Sequence, residues 1–178
     1  MKTIFNLCLG ALLFINCQSE SANSKAKDAA QTTGHTDSLA FDANSKTAHV
    51  FVALCDNKYQ GIVPVPAKIG NGQDPANNLY WGAMYGVKTY FKNSKDWKLL
   101  KSSTVNDIIL ERLVFKHKTK DFYLVADAYD GKQIEQTTKD MLYSSTGQVK
   151  DTLHINGKAI GINGNANLIT YIGHDGLM

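Results

Sequence analysis

A chain of 178 residues has room for one domain and a tail. With 43% hydrophobic and 20% charged residues its composition is that of an ordinary soluble domain, and a formal charge of +3 on scattered lysines gives no basis for nucleic-acid binding. The cysteines are Cys8, Cys17 and Cys55, which leaves one thiol and no internal disulfide for the folded part.

Met1-Lys2 precedes an almost uncharged apolar run over residues 4–15. Such a run suits the apolar region of a secretory signal and is too short to span a bilayer. Cys17 follows at the boundary with polar sequence, in Leu13-Phe14-Ile15-Asn16-Cys17. This resembles a bacterial lipoprotein signal, which implies that Cys17 carries lipid and that residues 1–17 are the signal segment. Residues 18–46 are rich in Ser, Ala, Lys, Asn, Asp and Thr without a hydrophobic period. Their composition predicts a flexible tether that cannot bury enough to offset its ordering entropy. The expected location is the cell envelope, lipid-anchored outside the cytoplasm, with membrane lipid as a partner through Cys17.

Residues 47–178 read as an α/β domain. The apolar run 49–54 predicts a first buried strand, ending at Cys55-Asp56-Asn57. A long loop then holds Pro64, Pro66 and Pro75, and loops of that length often serve function. Asn77 or Asn78 is expected to cap a helix reaching about Lys92. Leu79, Ala83, Gly86, Val87 and Tyr90 make its packing stripe, and Trp81, Tyr85, Lys88 and Lys92 a second face. Segments 97–100 and 108–115 are weaker apolar runs. Residues 122–126 predict a buried strand leading into Asp127 and Asp130, and 131–143 a helix with Ile134, Thr138, Met141 and Leu142 inward, stopped by Gly147. Asn156-Gly157 marks a hairpin, and 168–172 a final strand running into Gly173-His174-Asp175-Gly176.

Strand, helix, strand, helix, strand predicts a mostly parallel sheet flanked by helices, with a β-hairpin insertion before the last strand. In such a sheet the carboxyl ends of the strands share the rim where ligands collect. Asp56, Asn57, Asp127, Asp130, His174 and Asp175 are expected there.

An apolar strand followed by Gly173-His174 and a glycine turn resembles the histidine motif of the caspase–hemoglobinase fold cysteine peptidases, whose members include gingipain, clostripain, legumain and separase. The resemblance implies a caspase-like three-layer fold, His174 as general base or proton relay with Asp175 beside it, and a peptide or protein substrate. It also implies a pocket for the substrate near Asp56 and Asn57, and no cofactor or resident metal. In that family the nucleophilic cysteine follows the next strand. Here no cysteine follows His174, so the domain reads as the incomplete front half of such a peptidase, inactive as given. The block from His49 onward is also similar to uncharacterised bacterial lipoproteins that share Tyr80-Trp81-Gly82 and the segment from Gly173 to Met178.

Cys55 precedes the histidine, the wrong order for that family, and reads as a core thiol, with a Cys55–His174 pair across the rim as the alternative. Two other functions fit the same residues. One is a non-catalytic binding module presenting the Pro/Gly-rich loop with Trp81 and Tyr85. The other is a metal-dependent hydrolase using Asp56, Asp127, Asp130, His174 and Asp175.

Overall fold

The sequence KTAHVFVA forms the central strand β1 (Lys46–Ala53), buried along both faces apart from its first residue. A computed structural model describes residues 40–174, all within one compact unit spanning residues 37–178. The expected signal segment with Cys17, most of the tether, and Asp175 lie outside the described residues. The end of the expected tether belongs to the domain: Asp42 N–H donates to the Ala159 carbonyl at 2.8 Å, and the Asp42 carboxylate pairs with Lys158.

The remaining elements are α1 (Val87–Asn93), β2 (Trp97–Ser103), β3 (Ile109–His117), β4 (Phe122–Tyr129), α2 (Ile134–Ser145), β5 (Lys150–Ile155), β6 (Lys158–Asn163) and β7 (Leu168–Ile172). Five strands form one sheet in the order β2-β3-β4-β1-β7, and β5 and β6 form a separate hairpin. β1 pairs in parallel with β4 on one side and β7 on the other, so the three strongest apolar runs of the sequence are neighbours as expected.

The sheet is mixed rather than mostly parallel. β2–β3 and β3–β4 are antiparallel, as is the hairpin. The cause is chain length: only residues 104–108 separate β2 from β3, and 118–121 separate β3 from β4. Connections that short cannot carry the chain back for a parallel crossover.

Alternation along the strands divides the core. Val50, Val52, Leu54, Leu113, Phe115, Leu124, Ala126 and Ala128 face α1 and the buried Trp81. Val114, Tyr123 and Val125 face the hairpin residues Ile155, Ile160 and Ile162. α2 lies on that second side, where Tyr129 OH donates to Asp140.

Both predicted helices differ in detail. The expected helix from Asn77 or Asn78 to Lys92 is helical only over α1, and residues 74–86 are turns. Asn78 is drawn into bonds with Cys55, and a Cβ at Gly82 would collide with the carbonyls of Pro75 and Ala76. The second helix buries Thr137 and Ser144 and half-buries Ile134 and Met141, while Leu142 is exposed. Its inward stripe is thus turned by about one residue from the expected one. Gly147, at φ 71°, ends it with nested bonds from Gly147 N–H to Ser144 and Gln148 N–H to Tyr143. The Asn156-Gly157 turn is as predicted, with φ of 48° and 77°.

Candidate functional site

The chain leaves β1 through Leu54 and places Cys55 at the carboxyl end of the central strand, fully buried. Asn78 holds it there. Its Oδ1 accepts from Cys55 N–H at 3.0 Å and Tyr80 N–H at 3.1 Å, and its Nδ2 donates to the Cys55 carbonyl at 2.8 Å. One buried amide thus fixes the thiol and brings Tyr80 beside it.

His174 reaches the same place from β7. Gly173 makes the approach feasible, because a Cβ there would come within 2.9 Å of the Ala53 Cβ at the end of β1. Tyr171 OH donates to the His174 carbonyl and holds the turn. The half-buried imidazole then sits with Nε2 at 3.2 Å from Tyr80 OH and 3.9 Å from Cys55 Sγ. The Tyr80 and His174 rings meet edge-on, 5.6 Å between centroids.

Burial, helped by the charge of Asp56, pushes the Cys55 thiol above its ordinary value. Burial also raises the Tyr80 phenol, with Cys55 and Tyr171 adding to it. Both groups are therefore protonated at neutral pH. A fully buried, protonated thiol is a poor nucleophile.

The other expected rim residues are occupied otherwise. Asp56 is buried and accepts from the N–H groups of Lys58, Tyr59 and Gly72 and from Gln73 Nε2. Asn57 clasps Val65 through both its N–H and carbonyl. These two residues shape the long loop from within. Asp130 accepts from Lys132 N–H and from Gln73 Nε2, so Gln73 bridges Asp56 and Asp130.

Asp127 is not at the rim. β4 continues to Tyr129, which leaves Asp127 opposite Phe51, within the paired length of the two strands. Its carboxylate takes two bonds from Arg112, each 2.6 Å, and one from His49 Nε2 at 3.0 Å. Trp81, expected on a contact face, is fully buried and donates to Glu111. Among the described residues no three His, Cys, Asp or Glu side chains are placed to hold one metal ion.

The sequence reading missed Gln60, Gln73, Asn78 and Tyr80. Gln60 accepts from Asp56 N–H and donates to the Leu54 and Gly131 carbonyls. Their signal is the density of Asn and Gln in a loop folded against a core, where side chains must satisfy the backbone that no ladder reaches. Of the predicted site residues, the structure brings together His174 and Cys55, adds Tyr80, and leaves Asp127 elsewhere.

The comparisons with known proteins return no matching family model, no similar curated protein and no similar solved structure.

Proposed function

We propose that this chain carries the histidine side of a cysteine-peptidase site of the caspase–hemoglobinase type, held at a membrane surface by lipid on Cys17. The observation that supports the reading is the placement of His174. It follows the carboxyl end of an edge strand parallel to the central one, with its ring anchored by Tyr80. The order β4-β1-β7, with α1 and α2 on opposite faces, suits a three-layer sheet of that kind.

The Tyr80 hydroxyl both donates and accepts, so it follows either tautomer of the ring. Nδ1 has no hydrogen-bond partner among the described residues. In this proposal Nδ1 takes the proton of an attacking thiol and returns it to the leaving amine. Cys55 is too enclosed to be that thiol. The nucleophile comes instead from a segment that pairs with the outer side of β7, which has no strand partner among the described residues.

The test compares peptide hydrolysis by the chain as given with that of the product read on through the downstream coding sequence. The expected result is no hydrolysis by the first. Activity appears in the second, is lost in His174→Ala and is retained in Cys55→Ala. Hydrolysis by the chain as given, abolished in Cys55→Ala, would make Cys55 the nucleophile.

A non-catalytic binding module is the second reading, and the exposed side chains of Met84, Tyr85 and Tyr90 favour it. Inertness of the extended product toward peptides and thiol reagents would select it. Against the metal-hydrolase reading, Asp127 bonds Arg112 and His49, Asp56 bonds its loop, and among the described residues no three such side chains are placed to hold one ion.

A further inference from the structure

On the α2 side of the sheet, away from His174, lies a partly enclosed pocket of about 270 Å³. β3 contributes Ile109 and Arg112, β4 Tyr129, α2 Asp140 and Ser144, and the hairpin Asp151 and Asn163, with Val105 and Val149 beside them.

Its lining is net acidic, with one guanidinium and two carboxylates. Arg112 is neutralised by the fully buried Asp127 through two bonds. Asp140 and Asp151 add two further carboxylates to the lining, and Asp151 is near enough for its charge to act on Arg112. Asp140 accepts from Tyr129 OH and from Gln136, both neutral donors. No cation among the described residues pairs with Asp140.

An independent observation comes from Ser144. It lines the pocket and is only 2% exposed, yet its hydroxyl oxygen has no hydrogen-bond partner. Buried hydroxyls are nearly always satisfied, so an orphan one in a pocket wall asks for a partner from outside the chain. Val105 and Val149, each more than two-fifths exposed, supply apolar surface beside the same pocket.

Carboxylates, an orphan hydroxyl and aliphatic walls match one chemistry. We propose that this pocket binds a primary alkylammonium group, with Ser144 Oγ and the Asp140 and Asp151 carboxylates accepting its N–H bonds and the valines and Ile109 covering its stem. An anion would meet two carboxylates. A bare metal ion would lack a third ligand among the described residues. The group is either a free alkylamine or a lysine side chain of a peptide. The proposal does not depend on the peptidase reading.

The test is titration of the full chain with n-butylammonium, and with a blocked lysine peptide against its norleucine counterpart, read by amide chemical shifts. Saturable shifts at Ser144, Val149 and Asp151 at millimolar concentration are expected. Tighter binding of the lysine peptide than of the free amine assigns the source to a peptide, and the reverse to a free amine.

Ser144→Ala is the decisive variant. Removing an unsatisfied buried hydroxyl leaves the fold as stable as before or more so, while removing one bond to a charged group weakens binding about tenfold. Asp151→Asn, at an exposed position, is expected to weaken it similarly. Absence of saturable shifts overturns the proposal. So does butanol binding as well as butylammonium, or unchanged affinity in a folded Ser144→Ala.

Discussion

Asp127 is a carboxylate inside a buried strand, and its partners decide whether the fold tolerates it. Asn163 N–H donates to His49 Nδ1 at 3.0 Å, so the ring proton sits on Nε2 and is given to Asp127. Arg112 supplies the counter-charge. Burial alone would raise the Asp127 carboxyl, but the bonds from Arg112 and His49 outweigh it and hold it below the ordinary carboxylate value. A depressed native pKa gives stability that is complete above the unfolded value of about 3.9 and is lost as pH falls through the folded value. The urea midpoint is therefore expected to hold from neutral pH to about 5 and to drop below about 4. Asp127→Asn strands the Arg112 charge and is expected to cost about 3–5 kcal/mol at pH 7, with a flatter acid limb. An unchanged midpoint in that variant would show the network to be dispensable. None of this was legible in the sequence. The apolar run was read as ending at Ala126, which put Asp127 at the rim, and its partners come from two other strands.

Elements were legible where the pattern is local. The runs 49–54, 122–126 and 168–172 are strands within three residues of their expected bounds, and Asn156-Gly157 is the turn it looked like. The helix expected before Lys92 failed because its stripe counted apolar spacing and not backbone contacts. Gly86 belongs to that stripe and Gly82 lies beside it, and each is pressed against main chain from neighbouring turns. Glycine there is a packing requirement, whereas in a helix it is only a weak residue. Gly82→Ala tests the difference. In a true helix it would add about 1 kcal/mol of stability. Against the carbonyls of Pro75 and Ala76 it is expected instead to cost about 1–3 kcal/mol, read from urea unfolding. The turned face of α2 has a similar origin. Thr137 bonds the Gln133 carbonyl and is buried although polar, and Ser144 is buried beside the pocket, so apolarity alone mis-set the stripe.

At the scale of the molecule, the parallel centre of the sheet was legible from its apolar runs, and the antiparallel half was not, since weak segments carry no sign of direction. What the whole arrangement adds is an ordering of local stability. β1 is sealed between β4 and β7, whereas among the described residues β7 has one strand partner, with four half-buried residues after an exposed Leu168. Such an edge opens before the centre does. Cys55 lies behind it, fully buried at the end of β1 with the His174 ring 3.9 Å away. Alkylation of Cys55, followed by mass spectrometry of its peptide, therefore reports the opening of this edge. An opening free energy of about 3 kcal/mol slows native alkylation roughly a hundredfold relative to the unfolded chain. If the edge opens by itself, the native rate rises only weakly with urea, because little surface is exposed; global opening would follow the full unfolding slope. His174→Ala then separates two roles of the imidazole by sign. A ring that covers the thiol slows the reagent, so its removal speeds alkylation several-fold. A ring that activates the thiol as a base does the opposite, and its removal slows the reaction. The raised thiol pKa and its complete burial predict acceleration. A slower reaction in His174→Ala would make Cys55 and His174 a working pair and return the nucleophile to this chain.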